Sequence, residues 1–184
     1  MRVKCIQTVA EGIILIYDRF KAKNDKIRRI SMALKEIRTE GDEALRAKCR
    51  PVAEVTPRIV QHLNDLEDTL KNHGNGAGLA APQIGVLRRL IVVDTPDGLL
   101  RLINPEITKA EGEHEVEEGC LSVPGVWAKL NRPIRVTVRA QNEQGKEVEL
   151  EAENDLAKCF CHEIDHLDGI LFIDKATEFL GEEE

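Results

Sequence analysis

The sequence predicts an α+β fold in which strands dominate and helices lie before and after them. The observations behind this are one helical apolar pattern before several strand-like segments and a second helical pattern after them. Because helical and strand-like segments do not alternate as they do in βαβ units, a parallel sheet is not expected. With 184 residues, 42% of them hydrophobic, the chain is long enough for one domain with a substantial core.

The first predicted helix begins at Thr56-Pro57, since Thr is a favoured N-cap and Pro is favoured at the first helical position. Four apolar residues then recur at helical spacing and predict one buried face: Ile59, Leu63, Leu66 and Leu70. Three glycines follow, and they are expected to end the helix and form a flexible loop: Gly74, Gly76 and Gly78.

Strand patterns occupy the middle of the chain. Residues 89–94 form an apolar run typical of a buried strand, and residues 101–104 predict a second strand that ends at Pro105. Residues 134–140 and 148–152 alternate apolar and polar side chains, so each is expected to bury one face.

A hairpin and a second helix complete the predicted elements. The turn at residues 142–145 is expected to join the two alternating strands. From about Asn154 the apolar period becomes helical, and this helix is expected to end near Gly169. Residues 171–173 predict a further short strand.

The composition argues against several classes of function. The net charge is −7 and only 3% of residues are aromatic, so neither a nucleic-acid footprint nor a base-stacking surface is expected. No apolar run approaches the roughly 20 residues of a membrane-spanning helix. The five cysteines lack the pattern of a small secreted domain, which favours free thiols in a reducing compartment. The protein is therefore predicted to be cytoplasmic.

The second predicted helix carries the segment His-Glu-Ile-Asp-His, from His162 to His166. Residues four apart share a helix face, roughly 5–6 Å apart at Cβ, so the two imidazoles can bind one metal ion. Glu163 can then reach a water beside the metal without binding the metal. A chance match in a polar helix is the competing interpretation. Asp165 is either a solvated residue or the partner of Arg132 in a buried ion pair.

Cys120 is the candidate for a third ligand, because a thiolate suits zinc or ferrous iron. Three protein ligands leave the open coordination position that catalysis requires. Cys159 and Cys161 compete for this role, but their helix also carries both His residues. A side chain there is poorly placed to complete a tetrahedron, so both are interpreted as packing residues. Glu118 is either a surface acid or a group that orients a ligating His.

The glycine-rich segment at residues 76–83 is not a phosphate-binding loop, because it lacks the Gly-Lys-Ser/Thr ending and follows a helix. Its small residues indicate close packing against another backbone or a substrate. The amide N–H₂ of Gln83 is a candidate donor to an oxyanion. Taken alone, however, the segment favours a surface loop with an exposed Gln.

Taken together, three ordered segments resemble the motifs of peptide deformylase. They are Gly-Ala-Gly-Leu-Ala-Ala-Pro-Gln at 76–83, Glu-Gly-Cys-Leu-Ser at 118–122 and His-Glu-Ile-Asp-His at 162–166. The resemblance runs from about Met32 to Ile173 and is similar to the compact form of the family. It implies an α+β fold with antiparallel sheets wrapped around the helix that carries the two His residues.

The resemblance also implies a role for each matching residue. The family's three metal ligands match Cys120, His162 and His166. Glu163 matches its catalytic carboxylate, and Gln83 and the backbone N–H of Leu121 match its oxyanion donors. Gly78 matches a glycine whose backbone meets the substrate.

The activity implied is removal of the formyl group from the N-terminal formyl-methionine of new bacterial polypeptides, which releases formate. The metal implied is Fe²⁺, for which Zn²⁺, Ni²⁺ or Co²⁺ can substitute. The expected partners are nascent formyl-Met polypeptides and, transiently, the ribosome, with no DNA and no membrane. Two other classes stay open. One is a zinc peptidase with the same helix motif, and the other is a non-catalytic zinc module closed by a fourth ligand, Cys159 or Cys161.

Residues 1–31 are predicted to be an extension outside the enzyme core, with the catalytic domain at residues 32–184. The extension holds eight Lys/Arg and three Asp/Glu, whereas residues 32–184 hold eighteen Lys/Arg and thirty Asp/Glu. One hypothesis is that the extension is translated upstream sequence, because Arg28-Arg29 permits codons that form a ribosome-binding sequence before Met32. The other is a basic amphipathic arm for a membrane or the ribosome.

Overall fold

The computed structural model describes residues 34–74 and 76–180, so the expectations for residues 1–31 lie outside the described residues. The described part has two α-helices, α1 (Pro57–His73) and α2 (Asn154–Leu167), and three short 3-10 helices (Glu43–Leu45, Ala81–Ile84 and Phe172–Lys175). Its eight strands are β1 (Gly78–Ala80), β2 (Leu90–Thr95), β3 (Gly98–Glu111), β4 (His114–Cys120), β5 (Val123–Arg132), β6 (Arg135–Gln141), β7 (Glu147–Glu153) and β8 (Glu178–Leu180). None of the described helices is long and apolar enough to cross a membrane.

The eight strands form two sheets in which every pairing is antiparallel. The larger sheet has the order β1-β2-β3-β6-β7, and the smaller has the order β4-β5-β8. The predicted α+β class is confirmed, and so is the hairpin of β6 and β7. Strands β1 and β4, which carry or adjoin two of the three motif segments, both lie at the edge of a sheet.

Strand β2 is covered on both of its faces. Ile91 and Val93 belong to the core cluster that includes Phe160 of α2. Leu90 and Val92 point to the opposite face and belong to the cluster that includes Leu63 of α1. The apolar run predicted as a buried strand therefore lies between the two helices, and α2 is enclosed by the fold.

Helix α1 begins and ends as its residues predict. The Thr56 side chain accepts a hydrogen bond from the Ile59 N–H at 3.4 Å, and Pro57 is the first helical residue. Gly74 ends the helix in the left-handed conformation, with φ of 70°. The prediction that the flexible loop extends as far as Gly78 is wrong. Gly78 lies in β1, buried, because it pairs with Val93 of β2.

The prediction that a strand ends at Pro105 is wrong, since β3 continues to Glu111. Pro cannot donate to a strand ladder, but the register opposite β6 shifts between Ile103 and Glu106, which accommodates the missing donor. Asn104, just before the proline, has φ of 53°. Its side chain both accepts from and donates to the backbone of Val52, and this holds the irregular segment in place.

The strand predicted at residues 171–173 is also wrong, because a 3-10 helix begins at Phe172. The Asp174 carboxylate accepts from the Leu171 N–H at 2.9 Å, and the Asp174 N–H donates to the Leu171 carbonyl at 3.0 Å. These local hydrogen bonds turn the chain and bury Phe172. The apolar run is therefore turned rather than extended, with both Leu171 and Phe172 buried.

Candidate active site and metal centre

Three side chains that can bind a metal converge where helix α2 faces the end of β4. Helix α2 places His162 and His166 one turn apart, with ring centroids separated by 4.9 Å. Cys120 is the last residue of β4, where the register with β5 shifts after Gly119. One donor atom of each residue lies within 4.8 Å of the other two, and Cys120 Sγ lies 3.2 Å from Nε2 of His166. The structure thus brings together the three predicted ligands.

The carboxylate of Glu118 contacts the imidazole of His162. The Oε2 atom of Glu118 lies 2.9 Å from Nδ1 of His162. Because an ionised carboxylate only accepts hydrogen bonds, the proton of the neutral imidazole lies on Nδ1, which leaves Nε2 to bind a metal. Glu118 is only 3% exposed. The interpretation as a surface acid is wrong, and the contact with His162 agrees with the prediction that Glu118 orients a His, which stays a prediction.

Burial and hydrogen bonds determine the charges of this cluster. Burial opposes ionisation of Glu118, but hydrogen bonds from His162 and Arg132 lower its pKa to about 2. Burial also opposes a charged His162, while hydrogen bonds to Cys120 and Glu118 raise the pKa of this imidazole to about 10. Burial lowers the pKa of His166, so that ring is neutral near pH 7. Without a metal, these interactions favour a second proton on His162, and a metal cation at Nε2 would take the place of that proton.

Glu163 lies on α2 beside the metal-binding cluster. It is 4% exposed, and its Oε2 atom has no hydrogen-bond partner among the described residues. Burial raises its pKa to about 7; the charge of His162 opposes this rise and that of Glu118 adds to it. A carboxyl group that titrates near neutrality can both accept and return a proton.

Gly78 leaves the space that the Glu163 side chain occupies. A Cβ atom at Gly78 would lie 2.8 Å from Oε1 and 2.9 Å from Cγ of Glu163, and 3.0 Å from Sγ of Cys159. The side of β1 away from β2 is an edge of the sheet. Gly78 therefore combines a close approach to Glu163 with backbone groups on an unpaired strand edge.

Gln83 lies beside the thiol rather than on the surface. It belongs to the 3-10 helix that follows β1, and it is 2% exposed. Its Oε1 accepts from the Ala80 N–H at 2.8 Å, and its Nε2 lies 3.1 Å from Ser122 Oγ and 3.6 Å from Cys120 Sγ. The interpretation as an exposed loop residue is wrong. Ser122 had no predicted role, although it belongs to the Glu-Gly-Cys-Leu-Ser segment.

Comparison with known proteins identifies the family. The family model described as polypeptide deformylase matches residues 34–180. The chain belongs to the peptide deformylase family. Members of this family remove the N-formyl group from nascent polypeptides, and this chain is a hydrolase that acts on the N-formyl amide.

The deformylase relatives cover most of this chain and most of their own length. Peptide deformylase 2 of Clostridium acetobutylicum is 56% identical over 149 residues, which are 81% of this chain and 99% of that protein. The peptide deformylase of Caldicellulosiruptor bescii is 53% identical over 153 residues, 83% of this chain and 92% of that protein. The crystal structure of a peptide deformylase from Legionella pneumophila has a TM-score of 0.75 and 42% identity, and the match covers 79% of this chain and 87% of that one. The fold is therefore that of deformylases.

Arg132 links the candidate deformylase centre to the outside of helix α2. It donates to both oxygens of Glu118, and its Nη1 lies 2.6 Å from Oδ2 of Asp165. Lys175 contacts the same Asp165 carboxylate, with its Nζ 2.6 Å from Oδ2. The predicted ion pair of Asp165 with Arg132 is confirmed. A continuous chain of charged contacts runs from Lys175 to His162.

Cys159 and Cys161 lie in the core around α2, as predicted for packing residues. Burial raises the pKa of Cys161 to about 11 and also raises that of Cys159, so both are thiols near neutral pH. Within residues 34–74 and 76–180, no fourth Cys, His, Asp or Glu joins the group formed by Cys120 and the two His residues. This donor set fits the metal of a deformylase, since family members depend on a metal and the set leaves a position open.

Proposed function

We propose that formyl hydrolysis takes place at Cys120, His162 and His166, with Glu163 as acid and base. The observation that carries this proposal is the convergence of three donor atoms within 4.8 Å beside a buried carboxyl oxygen that has no described partner. An N-formyl amide needs an activated water and a proton for its leaving amine. The three donors supply the place for a metal, and Glu163 supplies the proton transfer.

We propose Fe²⁺ as the metal, with Zn²⁺, Ni²⁺ or Co²⁺ able to replace it. One thiolate and two imidazoles would hold it, a donor set that suits these borderline to soft cations rather than Mg²⁺ or Ca²⁺. When bound, the metal supplies a Lewis acid that polarises the formyl group and lowers the pKa of water.

In the proposed mechanism Glu163 carries the proton through the reaction. Its carboxylate takes one proton from the attacking water as the water oxygen bonds to the formyl carbon. The protonated carboxyl then gives this proton to the amine nitrogen as the C–N bond breaks. The products are formate and a polypeptide with a free N-terminus. A pKa of about 7 permits both transfers near neutral pH.

Two donors are proposed to stabilise the negative charge that develops on the formyl oxygen, the Nε2 group of Gln83 and the backbone N–H of Leu121. The position of Gln83 Nε2, 3.6 Å from Cys120 Sγ, supports its role. Loss of one such donor typically costs about 10²–10³-fold in kcat. We also propose that the backbone of Gly78 binds the substrate peptide, a role supported by the free edge of β1.

The proposed catalytic domain is residues 32–184, with residues 1–31 as a separate extension. The family match at residues 34–180 and the change of charge after residue 31 support this division. We propose that the enzyme works in the cytoplasm, in transient contact with ribosomes, because its substrates are nascent chains. Intact mass of the protein from its native cell tests the extension: a mature chain that starts at Met1 would contradict the upstream-sequence hypothesis.

Formate release from a formyl-Met peptide, measured anaerobically with iron-loaded protein, tests the proposed function. Glu163→Gln should keep its metal and lose turnover, because an amide cannot carry the proton. Asp155→Asn is the matched control, since this acid lies on the same helix with its side chain 97% exposed. Cleavage of internal peptide bonds at rates that match deformylation would favour a peptidase instead.

A further inference from the structure

We infer that Ser122 is a positioning residue that orients the carboxamide of Gln83 toward the reacting formyl oxygen. This inference rests on the proposed role of Gln83 as an oxyanion donor. Ser122 is 0% exposed, and its hydroxyl oxygen accepts from Nε2 of Gln83 at 3.1 Å. The hydrogen bond to Gln83 links this buried hydroxyl group to the proposed oxyanion donor.

The hydrogen bonds of Gln83 direct one of its two amide N–H groups toward Cys120 Sγ. Its Oε1 accepts from the Ala80 N–H, which decides which end of the carboxamide is oxygen. One hydrogen of Nε2 is donated to Ser122 Oγ. Because the amide group is planar, these two contacts define the direction of the second hydrogen, which lies on the side of Cys120. Without the Ser122 acceptor, the carboxamide keeps the contact to Ala80 and the longer contact to Cys120 Sγ, and it can pivot more freely about the Ala80 contact.

The backbone of Ser122 is held independently of its hydroxyl group. Its N–H donates to Cys120 Sγ at 3.4 Å, and its carbonyl accepts from the Glu40 N–H at 2.8 Å. Removal of the hydroxyl should therefore leave the backbone of Cys120 and Leu121 in place. This separates the orientation of Gln83 from the position of the other proposed groups.

The first experiment compares Ser122→Ala, Gln83→Ala and the double variant in formate release. Ser122→Ala should lower kcat roughly 10–100-fold, as loss of such supporting partners does, with KM nearly unchanged and metal content retained. In the Gln83→Ala background the same change should have no further effect on kcat. Thr69→Ala is the control: its buried hydroxyl donates to the Asp65 carbonyl on α1, so its removal should lower Tm and leave kcat unchanged.

The second experiment does not depend on turnover. In NMR spectra of the zinc-loaded wild-type protein, one Nε2 proton of Gln83 should exchange with solvent more slowly than the other. That proton should also show a nuclear Overhauser contact to the Ser122 Hβ protons. Of these two features, the slow exchange should be lost in Ser122→Ala. Their absence from the wild-type protein would overturn the inference, even if the variant does not fold.

The kinetic outcomes distinguish this inference from the proposed function. If Gln83→Ala is impaired while Ser122→Ala matches the wild type, the positioning role is overturned and the role of Gln83 stands. Additive losses in the double variant would also overturn positioning. If Gln83→Ala itself retains wild-type kcat, the proposed oxyanion role fails, and the inference fails with it.

Discussion

Arg132 and Glu118 form a bidentate ion pair, with Nε to Oε1 at 2.7 Å and Nη2 to Oε2 at 2.9 Å. Both side chains are 3% or less exposed. The pair lies directly behind His162, which Glu118 contacts through the same Oε2 atom. The orientation of a proposed metal ligand therefore depends on a buried charge pair whose members come from two neighbouring strands.

We expect Arg132→Met to lower the free energy of unfolding by about 3–5 kcal/mol, because it leaves a buried Glu118 carboxylate without its partner. Urea denaturation measures this change. Arg135→Met is the matched control, since Arg135 pairs with Glu153 on the exposed face of the sheet. The Tm of the Arg135→Met protein should remain close to that of the wild type. Equal destabilisation by the two changes would contradict a special role for the buried pair.

We expect Glu118→Gln to weaken metal binding roughly 10–100-fold, because the neutral amide no longer holds the Nδ1 proton of His162 as strongly. A zinc titration against a competing chelator measures the dissociation constant. Glu117→Gln, on the adjacent and exposed residue, should bind zinc like the wild type. Wild-type affinity in the Glu118 variant would show that the contact does not support the ligand.

We expect Glu163 to make the metal-free protein less stable as the pH rises. Its pKa is about 7 in the folded protein, against the ordinary value of 4.5. Below pH 4.5 both states bind the proton, so wild type and Glu163→Gln should be equally stable. Between pH 4.5 and 7 the Glu163 carboxyl loses its proton in the unfolded state but keeps it in the folded state. Above pH 7 the free energy of unfolding of the wild type should therefore be about 3 kcal/mol lower than that of Glu163→Gln. Unfolding curves of both metal-free proteins across this range measure the difference, and a constant difference would contradict it.

We expect Gly78→Ala to impair turnover without loss of metal. The added Cβ would lie 2.8 Å from Oε1 of Glu163, so the carboxyl group must move away from its present position. A misplacement of this kind can cost about 10²-fold in rate. Metal analysis together with kcat measures the outcome. A variant with wild-type kcat would show that Glu163 tolerates the displacement.

We expect the iron-loaded enzyme to lose activity in air over hours, because oxygen can oxidise both Fe²⁺ and the Cys120 thiolate. The nickel-loaded or zinc-loaded protein should lose less of its starting activity under the same conditions, since these ions are not oxidised by oxygen. Formate release measured at intervals, with an anaerobic iron sample as reference, tests this. Full activity of the aerobic iron enzyme after several hours would contradict the prediction.

The sequence by itself determined the local features of the protein. Thr56-Pro57 and the apolar spacing after it specify helix α1, because capping and helical period depend only on neighbouring residues. The four-residue spacing of His162 and His166 likewise places two imidazoles on one helix face. The α+β class followed from the order of such segments, and the family from three ordered motifs. The ligand, acid–base and oxyanion roles stay predictions.

Only the tertiary structure decided which distant residues meet. The order of residues does not reveal that Ser122 faces Gln83, or that Gly78 must lack a side chain because Glu163 fills that space. The three-stranded sheet of β4, β5 and β8 was not predicted, since residues typical of turns surround Cys120, among them Gly119, Pro124 and Gly125. The bulge beside Pro105 allowed β3 to continue through a residue that usually ends a strand. These features depend on contacts between elements far apart in the chain, and no local pattern encodes such contacts.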